Sequence, residues 1–199
     1  MILAAALITI AMDEVRLSAR VQPKAMNCVF GVQGHHAIVW KKGRGSRCAL
    51  FVTETSDREF RVALSKLGAK PGENLTPASW NERDNPRSPE PDKRVAGTPV
   101  DIFVEWDGRR TRLCDLISEK GRPAASCDFR FGGNGRYQKE FKSGCIACLY
   151  SCPGGAVGNH AHPIRDYVRD GVVYAARQER LPKAGAKVTL IFKLRSEGT

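Results

Sequence analysis

Cys145, Cys148 and Cys152 stand in the run Ser143-Gly-Cys-Ile-Ala-Cys-Leu-Tyr-Ser-Cys-Pro153-Gly-Gly155, spaced C-x2-C-x3-C-P. Thiolates two or three residues apart can converge on one metal centre, and iron–sulfur proteins use this grammar. The full bacterial run is C-x2-C-x2-C-x3-C-P, and Lys142 occupies the place of its first cysteine. A [4Fe–4S] cubane would therefore need a fourth ligand from elsewhere. Cys127 is the nearest candidate, followed by Cys114, His160 and His162. Arg130, Arg136, Lys139 and Lys142 precede the run, and nearby cations lower a cysteine pKa toward the metal-binding thiolate. Two other readings stay open. Cys145-x-x-Cys148 could be a redox pair in a thiol turn. Zinc would accept the same ligands, although no second ligand pair sits nearby.

The remaining candidates are weaker. His35 and His36 open a strand, and adjacent strand residues point to opposite faces, so they are not expected to share a metal. Seven cysteines cannot all pair internally. In an exported chain Cys28 and Cys48 are candidates for a structural disulfide, because the strands that carry them could be neighbours. Phe129–Gly135, FRFGGNG, has glycines that permit close backbone approach to a cofactor or a fold-back bringing Cys127 to Cys145. The Lys-Ser/Thr ending of a phosphate loop is missing. No hydrolytic Ser/His/Asp signature and no acid–base carboxylate pair stands out.

These residues must be held by a chain of 199 residues, 42% hydrophobic and 27% charged, enough for one folded domain. The net charge is +11, but the cations are dispersed and few aromatics lie among them. A specific nucleic-acid reader is not expected. Residues 1–13 form an apolar segment that stops at Asp13-Glu14. Its run of twelve residues, 1–12, is too short to cross a bilayer. The expectation is a remnant of a signal or anchor, with membrane association through residues 1–12 and a periplasmic or membrane-anchored location.

Residues 14–195 read as one domain. Val15, Leu17, Ala19 and Val21 alternate with polar neighbours, as half-buried strands do. Further strands are expected at Met26–Gln33, Ala37–Trp40, Cys48–Thr53, Val100–Trp106 and Lys187–Leu194. Asp107-Gly108 and Asp170-Gly171 read as hairpin turns. Ser56 and Glu59 form a capping box for a helix over Asp57–Leu67, with Phe60, Ala63, Leu64 and Leu67 on one face. Gly68 ends it and Pro71 prevents its continuation. Residues 74–97 read as a proline-interrupted surface loop. The fold class that follows is α+β, a mostly antiparallel twisted sheet with one main helix and a cysteine-rich turn in the C-terminal half.

Three stretches together resemble the YdjY-like family: Ala63-Leu-Ser-Lys-Leu-Gly-Ala-Lys-Pro-Gly72, the strand Val100–Trp106, and Ser143–Pro153 followed by Gly158-Asn159. The likeness spans about residues 15–194. It implies a bacterial protein, often exported or anchored, of iron–sulfur, ferredoxin type, with Cys145, Cys148 and Cys152 as cluster ligands. The function expected is electron transfer or redox support, with a protein partner in an envelope complex. The alternatives are a non-catalytic interaction module with structural disulfides, or a C-x-x-C thiol oxidoreductase.

Overall fold

The computed structural model of the chain describes residues 8–22, 35–89, 92–120, 122–168 and 174–196. Strand β1 (Ile8–Ala11) turns back antiparallel onto β2 (Glu14–Val21). The alternation read from the sequence holds in β2: Val15, Leu17, Ala19 and Val21 are all buried. Then come β3 (His36–Trp40), a 3-10 turn over Arg44–Cys48, β4 (Phe51–Thr53) and helix α1 (Asp57–Lys66).

Helix α1 forms where its local signals put it. The Ser56 hydroxyl accepts from the Glu59 amide, and the Glu59 carboxylate accepts from the Ser56 amide at 2.8 Å. Gly68 leaves the helix at φ +98°, a conformation that favours glycine. Phe60, Ala63 and Leu64 face the core, and the Phe60 ring meets Phe192 at 4.5 Å. The stretch read as loop contains a short helix, α2 (Pro77–Asn81), with its own Thr76–Ser79 capping box.

Strand β5 (Val100–Trp106) turns at Asp107-Gly108 into β6 (Arg109–Arg112), as the sequence suggests. After a 3-10 turn, β7 (Ile117–Glu119) leads on to β8 (Phe129–Phe131) and helix α3 (Gly135–Phe141). The C-terminal part holds β9 (Cys145–Cys148), β10 (Gly155–Asn159), β11 (Tyr174–Ala176) and β12 (Lys187–Leu194). Strand β11 pairs with β7 in a separate two-stranded sheet. The strand expected at Met26–Gln33 and the turn at Asp170-Gly171 lie outside the described residues. Among the described residues no helix is long and apolar enough to cross a membrane.

The expected α+β class, with a mostly antiparallel sheet and one main helix, is corrected by the strand order. The fold is mostly β, with few helices. One ten-stranded mixed sheet runs β6-β5-β12-β2-β4-β3-β9-β10-β8, with β1 on β2. Two of its pairs, β3–β4 and β9–β10, are parallel. Alternation reveals that a segment is a strand but not the direction of its neighbour. The sheet curls until its β8 edge returns to the chain entering β5: the Phe131 amide donates to the Thr98 carbonyl at 2.9 Å, and Pro99 bridges Arg130.

A buried thiol and imidazole centre

The C-x-x-C segment is not a turn. Cys145 to Cys148 form β9, buried at every residue between β3 and β10. The next six residues carry the chain back beside β9, because β10 runs parallel to it with Gly155 opposite Cys145 and Gly158 opposite Cys148. That return places Cys152 against Cys148. It requires close backbone approach at Gly155, where a Cβ would meet the Cys148 Cβ at 3.0 Å. The Gly154 amide donates to the Cys152 sulfur at 3.3 Å. Buried Gln138 of α3 braces the return, donating from Nε2 to the Cys145 carbonyl at 3.0 Å. Ser143 donates its hydroxyl to the Gly154 carbonyl at 2.6 Å.

All three sulfurs are free thiols and all three are buried. Cys148 is the hub, within hydrogen-bonding reach of both Cys145 and Cys152. Two imidazoles come to it, from the first residue of β3 and from the residue before it. His36 pairs with Cys148 across the β3–β9 ladder, and its Nδ1 lies 3.4 Å from the Cys145 sulfur. The His35 ring is 3.9 Å from that of His36. Ligating atoms of His35, His36 and Cys148 all lie within 4.8 Å of one another, the one such group among the described residues.

The adjacent histidines, not expected to share a metal, nevertheless bring their ligating atoms into one cluster with Cys148. Alternation applies within a regular strand, but β3 begins only at His36, and its register with β9 shifts between His36 and Ile38 and again before Val39. His35 sits before the strand, where the two-residue period does not bind it. The sequence signal that could have found this is faint: a histidine pair just ahead of an apolar run.

The other proposed ligands are placed elsewhere. Cys127, expected as fourth ligand beside Cys145, is instead disulfide-bonded to Cys114, with Cα atoms 6.3 Å apart. The FRFGGNG stretch does not fold back as a loop; it becomes the whole of β8, a left-handed residue at Asn134, and the start of α3. His160 contacts the Val95 carbonyl at 2.7 Å. His162 lies between the Asp166 and Glu119 carboxylates, at 3.0 and 3.4 Å. Cys48 is disulfide-bonded, and Cys28, its expected partner, lies outside the described residues.

The electrostatics also differ from expectation. Burial first, then the hydrogen bond with Cys145, pushes the Cys148 thiol well above the ordinary cysteine range. Cys152 is pushed up first by its hydrogen bond with Cys148 and then by burial. The upstream cations do not reverse this. Arg130 faces Asp128 at 3.1 Å, while Lys139 and Lys142 line an outer groove. Desolvation, and then the Coulombic effect of His35, holds the His36 imidazole well below its usual range. Without a metal, Cys148, Cys152 and His36 are thus held in their neutral forms. A neutral imidazole binds metal directly, whereas each thiol that binds must release a proton.

Escherichia coli (strain K12) carries a similar protein, described as uncharacterized protein YdjY. It is 31% identical over 163 residues, a length that covers 80% of this chain and 67% of that protein. No solved structure matches. The YdjY domain family matches residues 9–193, and the chain belongs to that family.

Proposed function

We propose that the protein holds a thiophilic metal ion or an iron–sulfur centre at Cys145, Cys148 and Cys152, with His36 and His35 supplying the imidazole that the incomplete cysteine run lacks. A copper ion or iron–sulfur centre bound there would supply one-electron chemistry, and the protein would serve electron transfer or redox support in a bacterial envelope complex; zinc, which has no redox chemistry, would make the site structural. The observation that carries this reading is the gathering of His35, His36 and Cys148 within 4.8 Å, with the free thiols of Cys145 and Cys152 each within hydrogen-bonding reach of Cys148. Thiolate and imidazole donors suit zinc, copper and iron–sulfur groups rather than calcium or magnesium. The other described cysteines, Cys48, Cys114 and Cys127, are disulfide-bonded. Disulfides persist in oxidising compartments such as the periplasm. Three adjacent thiols kept reduced in such a chain are consistent with capture by a metal.

The thiol-oxidoreductase alternative fits less well. Such enzymes expose a cysteine of lowered pKa, whereas these three are buried and Cys148 is shifted upward.

Anaerobic purification, with absorption spectra and iron, zinc, copper and sulfide analysis, tests the proposal. The expected result is bound metal that is lost in Cys148→Ser and reduced in His36→Ala. Full metal stoichiometry in Cys148→Ser, or failure of the reduced wild-type chain to take up any of these metals, would overturn it.

A further inference from the structure

A second feature lies on the outer side of the cysteine strand. Helices α1 and α3 and the chain leaving β3 enclose an open groove of about 1090 Å³. Six cations line it: Lys42, Arg58, Arg61, Lys66, Lys139 and Lys142, against one carboxylate, Asp57. None of the six forms an ion pair with a described residue. Arg61 reaches across the groove from α1, its guanidinium lying against the backbone of Gly135 at the start of α3. Trp40 and Val62 add apolar surface, Val62 being 48% exposed, and the Lys42 ammonium stands 5.9 Å from the Trp40 ring centre. Buried Gln138 also lines the groove, and its Oε1 has no hydrogen-bond partner.

Like charges drawn into one concavity repel one another, and among the lining residues Asp57 alone offsets them. A bound anion would offset the rest. The cations come from three separate elements around a hollow, not from a flat face, and the volume is just above the usual range of small-molecule sites. We propose that this groove binds a small organic polyanion: two or more phosphate or carboxylate groups on an apolar or aromatic body. The guanidinium of Arg61 and the ammonium groups would take the charges, and Trp40 with Val62 the body. The groove shares a wall with the thiol centre through Gly144 and Gln138, but the inference does not depend on any metal there.

The test is calorimetric titration of the full chain, metal-free, at about 0.15 M salt, where diffuse surface attraction is largely screened. The probes are ATP, tripolyphosphate and poly-glutamate. ATP should bind once per chain, and more tightly than tripolyphosphate, which lacks the ring. Arg61→Gln with Lys139→Gln should weaken ATP by about tenfold or more, the loss of two charge-assisted contacts. Arg109→Gln with Lys187→Gln, outside the groove, should leave it unchanged. Circular dichroism and thermal unfolding check that both variants fold. The proposal fails if both double variants weaken binding equally, if tripolyphosphate matches ATP, if poly-glutamate alone binds, or if no probe binds.

Discussion

Cys148 touches more of the proposed chemistry than any other residue, with two thiols and two imidazoles around it. The cysteine spacing was legible because the residues adjoin in sequence. The histidines were not, because their role depends on where β3 starts and on a shifted register. The protonation of the cluster carries a consequence for stability. In the metal-free protein Cys148 and Cys152 titrate higher when folded than when unfolded. Their contribution is intact below the unfolded value of about 8.5 and is lost as pH rises toward the folded values. His36, depressed in the fold, acts in the opposite sense: its contribution is intact above about 6.5 and is lost as pH falls. Urea midpoints of the reduced, metal-free chain should therefore peak between about pH 6.5 and 8.5. A midpoint still climbing beyond the upper limit would refute the assignment.

At the scale of elements, α1 could be read because its signals are local: a capping box, an apolar face and a terminal glycine. Leu64 is fully buried on that face, so Leu64→Ala should cost about 2–5 kcal/mol, seen as a lower denaturant midpoint with an unchanged slope. Helix α3 escaped notice for the complementary reason. It has seven residues, no acidic residue in its first turn and no side-chain cap, and it begins from the left-handed Asn134. Nothing local announces it; it is held by packing and by the Gln138 bonds to the cysteine strand. The parallel pairs escaped too. A parallel connection commonly takes a dozen or more residues, whereas residues 149–154 suffice between β9 and β10. A stretch that short, ending in Pro153-Gly154, reads as an ordinary turn.

At the scale of the molecule, the curl of the sheet could not be foreseen, since it depends on β8 meeting the chain before β5. The Cys114–Cys127 disulfide links the turn after β6 to the residues before β8, the region where that curl closes. Its sequence separation of 13 corresponds to about 3 kcal/mol in the chain-entropy account. Replacing both cysteines with serine should lower the melting temperature while leaving metal content unchanged. Loss of metal in that variant would restore Cys127 as a ligand. The separation between His36 and Cys145, 109 residues, bears on time as well as space. Contacts near in sequence close early, and distant ones wait for the chain between them to order. The three thiols can gather within one short segment, but the imidazoles reach them only after β3 has docked on β9. A refolding chain would therefore pass through a thiol-only stage before the complete donor set exists. Acquisition of a metal that needs imidazole would then report that the two halves of the sheet have joined.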